Sequence, residues 1–78
     1  FNLLSKIDVN LFKNLKKVTL IDLNYNNLFK IEYNLFSDMI DLKEIYLNFN
    51  NLETFNVNLS LMQNFKVLKL IGNNLKSI

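Results

Sequence analysis

Three copies of one pattern decide the fold: VTLIDLNYNNL at residues 18–28, LKEIYLNFNNL at 42–52 and FKVLKLIGNNL at 65–75. Each copy has apolar residues at its first, fourth and sixth positions, Asn at its ninth and Leu at its eleventh. Intervals of 24, 24 and 23 residues separate the pattern's Asn residues, which are Asn2, Asn26, Asn50 and Asn73. Self-similarity at such a period indicates a solenoid, in which each coil buries its apolar side against the next.

The pattern resembles that of the leucine-rich repeat (LRR) family, which reads L-x-x-L-x-L-x-x-N-x-L over roughly 20–29 residues. The 24-residue interval and the recurrent Phe12 and Phe36 resemble the typical repeat class of Toll-like receptor ectodomains and secreted LRR proteins. This resemblance implies an α/β-type, right-handed horseshoe segment. Short parallel strands would form its concave face and loops or 3₁₀ turns its convex face, with little α-helix.

The whole chain is interpreted as a single LRR segment, a fragment of a longer solenoid. Its divisions are a partial repeat 1–17, repeats 18–41 and 42–64, and a partial repeat 65–78. Neither end carries a polar capping unit, so Leu4 and Ile7 at one end, and Leu70 and Leu75 at the other, are expected to face water. The isolated chain is therefore predicted to be insoluble, oligomeric or largely unfolded.

Alternating apolar residues predict strands near 20–24, 44–48 and 67–71, with side chains pointing alternately inward and outward. A recurring Asn follows each strand. A buried amide without partners costs on the order of 1–3 kcal/mol, so each Asn is expected to bond backbone groups of its own turn and of the adjacent coil. The predicted structural Asn ladder consists of Asn2, Asn26, Asn50 and Asn73.

The outward strand positions and the residues next to them form the strand face, which this family places on the concave side. This face combines aromatic and charged residues, and aromatic residues are common in binding hot spots. The predicted partner-binding residues are Asp22, Asn24, Tyr25, Glu44, Tyr46, Asn48, Phe49 and Lys69. The alternative is that Asp22, Tyr46 and Lys69 form a ladder across the strands that satisfies itself.

Composition argues against an enzyme. The chain has no His and no Cys, so the commonest bases, nucleophiles and metal ligands are missing, and no catalytic, cofactor or metal site is predicted. Asp38 and Asp41 are interpreted as surface residues of a convex loop. The nine basic residues are all Lys and are spread along the chain, so no nucleic-acid role is predicted. No apolar run approaches the roughly 18 residues of a membrane span.

The prediction is a non-enzymatic scaffold that binds a protein partner or neighbouring LRR coils. The resemblance implies an extracellular or cell-surface setting, such as a secreted protein or receptor ectodomain of innate immunity. The alternatives are an intracellular, cytoplasmic LRR adaptor and a purely structural spacer. Asn58-Leu59-Ser60 is an N-x-S triplet on the convex side, which makes Asn58 a possible glycosylation site of a glycoprotein.

Overall fold

Three short strands form one parallel sheet in a computed structural model that describes residues 4–76. The strands are β1 (Leu20–Asp22), β2 (Glu44–Tyr46) and β3 (Val67–Lys69), in the order β1-β2-β3. Their register places Ile21 beside Ile45 and Ile45 beside Leu68. The described residues contain no helix. The expected fold, a small solenoid segment with short parallel strands and little helix, is confirmed.

Each strand is two residues shorter than predicted. Backbone bonds between the coils still occur beyond the strand ends, since Leu23 N donates to Tyr46 O and Tyr25 N to Asn48 O, both at 2.9 Å. Between these two bonds a side-chain oxygen takes the place of a backbone carbonyl, because Asn48 N donates to Asn24 Oδ1 at 2.8 Å. Regular strand pairing therefore ends where an Asn side chain replaces one backbone acceptor in each coil.

The segments between strands are built from tight turns. Leu35 N donates to Glu32 O at 3.1 Å and Met39 N to Phe36 O at 3.0 Å, which are bonds spanning three residues. Such bonds characterise 3₁₀-type turns, although none of these turns extends into a helix in residues 4–76. These outer loops satisfy part of their own backbone while returning the chain to the next strand.

The core is deepest in the middle of the solenoid, where coils pack on both sides. Its buried side chains are Ile7, Ile21, Leu28, Ile31, Leu35, Phe36, Met39, Leu42, Ile45, Leu47, Leu52 and Met62. On the outer side of this core, the rings of Phe12 and Phe36 stack with centroids 6.0 Å apart. The third coil continues this side with Leu59, which is half-buried and packs against the core.

Exposure rises toward both ends of the described chain. In the central column of the sheet, Ile45 is 0% exposed but Leu68 is 38% exposed. Leu4 faces water as expected, whereas Leu70 and Leu75 are half-buried. The expectation for Ile7 was wrong: this side chain is buried because it packs into the same core cluster as the following coil.

Candidate functional site

The repeated Asn residues position the site by joining one coil to the next. Asn50 Oδ1 accepts a hydrogen bond from Leu28 N at 3.0 Å. Asn50 Nδ2 donates to Leu23 O at 3.0 Å in the preceding coil and to Leu47 O at 3.2 Å in its own turn. A single amide therefore pairs several backbone groups that lie where the chain leaves the strand.

The same arrangement recurs in the neighbouring coils. Asn73 Oδ1 accepts from Leu52 N at 3.0 Å, and Asn73 Nδ2 donates to Leu47 O at 2.9 Å. Asn26 Nδ2 donates to Leu23 O at 3.0 Å. Asn2 lies outside the described residues. In the described part of the chain, no buried side-chain nitrogen or oxygen lacks a partner.

Two of the predicted partner-binding residues, Asn24 and Asn48, are tied into the scaffold. The Oδ1 atom of Asn24 accepts from Asn48 N at 2.8 Å, and that of Asn48 accepts from Ile71 N at 2.9 Å. Both side chains are half-buried. The side-chain oxygens of both residues therefore hold adjacent coils together.

Tyr46 lies at the centre of the strand face, because β2 is the middle strand. Its hydroxyl donates to Glu44 Oε1 at 2.7 Å, two residues earlier on the same side of the strand. This hydrogen bond raises the pKa of Tyr46 above its usual value, with smaller contributions from desolvation and from the charges of Glu44 and Asp22. The bond to Glu44 thus orients the phenol along the strand.

Opposite charges flank Tyr46. The register places Asp22 on one side of it and Lys69 on the other, and both side chains are exposed. Asp22 Oδ1 accepts a bond from Asn24 N at 3.0 Å in its own turn. No ion pair joins Asp22 to Lys69 within residues 4–76, where the ion pairs are Lys30–Glu32 and Glu53–Lys76. The phenol bonds to Glu44 and not to these charges, so the three residues do not form a ladder across the strands.

A stacked aromatic pair borders this row. The rings of Tyr25 and Phe49 have centroids 4.8 Å apart and planes inclined by 12°, and the residues are 47% and 45% exposed. Sequence reasoning assigned both residues to the face but missed the stack. Their equivalent positions in successive repeats are the signal that could have revealed it, since coils lie about 4.8 Å apart.

The strand face combines aromatic and charged side chains, which are residue types common in recognition surfaces. No group of three or more acidic, His or Cys side chains that could hold a metal occurs among the described residues. Asp38 and Asp41 are both exposed. In this part of the chain no helix has the length and apolarity needed to cross a membrane.

Comparison with known proteins identifies the family. A family model described as "Leucine rich repeat" matches residues 1–52, which is more than half of the 78-residue chain. No curated protein and no solved structure matches the chain. Members of this family generally act as non-enzymatic protein-binding modules. The match agrees with the parallel strands and with the hydrogen bonds of the repeated Asn residues, and the chain therefore belongs to the leucine-rich repeat family.

Proposed function

We propose that this chain is a recognition segment of an extracellular or receptor-ectodomain LRR protein, and that it binds a protein partner through its strand face. An innate-immune setting is part of this proposal. The observation that carries the binding role is the group formed by Tyr46, its flanking charges Asp22 and Lys69, and the stacked Tyr25 and Phe49.

These residues suit a protein partner for physical reasons. Aromatic side chains supply large contact area at a small cost in conformational entropy, and they dominate many binding hot spots. The hydrogen bond to Glu44 already restricts the Tyr46 ring, and stacking restricts Tyr25 and Phe49. A partner would therefore meet side chains whose conformations are largely settled before binding.

Asp22 and Lys69 form no ion pair with each other, so the strand face carries a negative charge at β1 and a positive charge at β3. A complementary partner would bring a basic group toward β1 and an acidic group toward β3. Such complementarity mainly sets specificity and the association rate. A ligand that carries charges of one sign only, such as a nucleic acid backbone, would meet both acidic (Asp22, Glu44) and basic (Lys69) side chains, so we propose a protein with mixed charge.

The test is a binding series on a partner isolated by affinity capture and then purified. Tyr46→Ala is expected to weaken binding by about 2 kcal/mol, roughly a 30-fold rise in Kd, as hot-spot truncation does. Phe49→Ala should also weaken binding, while Lys13→Ala on the outer loops should leave Kd unchanged. Loss of binding from Lys13→Ala alone would place the interface on the other face.

The setting needs a separate measurement. Localisation of the natural gene product outside the cell or on its surface would support the receptor or secreted role. A cytoplasmic location would favour the alternative of an intracellular LRR adaptor, provided that Tyr46→Ala and Phe49→Ala still weaken partner binding. A chain that binds no partner in the capture experiment would instead favour a structural spacer.

A further inference from the structure

The third coil departs from the repeat at Ser60. Asn10-Leu11-Phe12 and Asn34-Leu35-Phe36 are equivalent triplets of the first two coils, and Asn58-Leu59-Ser60 takes their place in the third. Phe36 is fully buried and stacks on the half-buried Phe12. A hydroxyl side chain at the equivalent position gives up that apolar burial, which for a Phe side chain amounts to roughly 1.5–3 kcal/mol.

The hydroxyl of Ser60 forms a hydrogen bond with Asn58 and does not pack into the core. Ser60 Oγ donates to Asn58 Oδ1 at 2.6 Å, and Ser60 N donates to the same oxygen at 3.1 Å. Ser60 itself is exposed. A residue that breaks the local pattern without a packing gain points to a functional role.

The backbone presents Asn58 at a defined place. Asn58 N donates to Tyr33 O at 2.8 Å in the preceding coil, which anchors this residue on the outer loops. Asn58 Oδ1 takes both bonds from Ser60, while Nδ2 donates to no other described residue. The side chain is half-buried and its neighbours Ser60 and Leu61 are exposed. The amide nitrogen is therefore the atom of this side chain left available for chemistry.

We propose that Asn58 is an acceptor for an N-linked glycan, with the Ser60 hydroxyl as the second element that the transferring enzyme recognises. In that transfer Asn58 Nδ2 loses a proton and bonds to the anomeric carbon of a lipid-diphosphate-linked oligosaccharide. The lipid diphosphate leaves with the electron pair of the broken bond. The proposal rests on the proposed extracellular function, because the enzyme and its donor belong to the secretory route.

The position of Asn58 keeps the glycan apart from the binding surface. Asn58 belongs to the loops between β2 and β3, on the side of the coil that carries the Phe12–Phe36 stack. The strand face with Tyr46 would remain open. A bulky, hydrophilic glycan would also cover the apolar Leu61, which is 61% exposed.

The experiment expresses the full 78-residue chain behind a secretory signal in eukaryotic cells, followed by mass spectrometry of the intact chain and its peptides. An added mass that N-glycosidase removes, mapped to Asn58, is the expected result. Asn58→Gln and Ser60→Ala should each abolish it, and Ser60→Thr should retain it. Asn34→Gln, the equivalent residue without a hydroxyl two positions later, is the matched control and should retain the glycan. A glycan that survives Ser60→Ala, or no glycan at all, overturns the inference.

The same peptides are then mapped in the protein isolated from its natural source. An unmodified Asn58 there overturns this inference. The proposed binding is judged independently, since the Kd of the Asn58→Gln variant for the purified partner should match that of the glycosylated chain. If the chain carries the glycan at Asn58 but does not bind the purified partner, the proposed function is wrong and the glycan inference stands.

Discussion

The rings of Tyr25 and Phe49 lie face to face, with centroids 4.8 Å apart. Both residues adopt a left-handed backbone, with φ of 60° and 57°. That conformation costs a residue with a side chain roughly 1–2 kcal/mol, while aromatic stacking contributes about 0.5–1.5 kcal/mol beyond area burial. The stack and the bond from Phe49 N to Ile71 O at 2.7 Å thus offset part of the backbone strain of these two residues.

Gly72 occupies the third position of this column and has a φ of 75°. A Cβ there would lie 2.5 Å from Phe49 Cδ1, so the ring covers the space that a side chain would need. Gly72→Ala is expected to destabilise the fold by more than the roughly 1–2 kcal/mol of backbone strain, because the Phe49 ring must also move. Urea unfolding measures the change in free energy.

A double-mutant cycle separates the two causes. In a Phe49→Ala background, Gly72→Ala should cost the backbone strain alone, because the ring that would collide is gone. Equal costs in both backgrounds would show that the Phe49 ring does not depend on the absence of a side chain at Gly72.

Asn50 is expected to contribute more to stability than an exposed Asn of the same turn. Asn50→Ala leaves Leu28 N without its side-chain partner, at about 1–3 kcal/mol for an unsatisfied buried group, while the Leu23 carbonyl keeps its bond from Asn26 Nδ2. Asn27→Ala is the matched control, since Asn27 is exposed and only its backbone bonds, to Leu4 O at 2.8 Å. Asn51 is a poorer control because its Oδ1 accepts a bond from Asn74. Equal shifts in the urea midpoint for Asn50→Ala and Asn27→Ala would refute the structural role.

Ile45 and Leu68 provide a test of burial within one column of the sheet. Ile45→Ala removes a fully buried side chain and should cost about 2–5 kcal/mol, through lost transfer energy and a cavity. Leu68→Ala should cost clearly less, because this residue is 38% exposed and leaves no enclosed cavity. Calorimetric or urea unfolding of both variants gives the comparison. A larger loss of stability for Leu68→Ala than for Ile45→Ala would mean that the Leu68 side chain in β3 is buried in solution.

Tyr46 should ionise at a higher pH than an ordinary tyrosine, whose pKa is about 10. Since the folded-state pKa is raised, the stabilising bond to Glu44 is fully present below the ordinary value and is lost as the pH rises through the raised value. A titration of the Tyr46 ring carbon by NMR measures this pKa. Glu44→Ala should lower it more than Asp22→Asn does, because the hydrogen bond to Glu44 is the largest cause. An unchanged pKa in Glu44→Ala would remove the bond as the explanation.

The sequence by itself determined the repeat and the register of its coils. Ile21, Ile45 and Leu68 align because the apolar pattern repeats at a nearly constant interval, and side-chain alternation along a strand is a local property. The outward placement of Asp22, Tyr46 and Lys69 followed from the same alternation. Family membership rests on this periodicity as well, since the family model for the leucine-rich repeat matches residues 1–52.

Only the tertiary structure decided how neighbouring coils use these side chains. The strands end early because Asn24 Oδ1 binds the backbone of the next coil, and Tyr46 selects Glu44 although Asp22 and Lys69 lie beside it. Ile7 is buried and Leu68 is exposed, although both are apolar residues of the repeat pattern. Hydrogen-bond choice and burial depend on which atoms the adjacent coil brings within reach, and a linear pattern does not contain those distances.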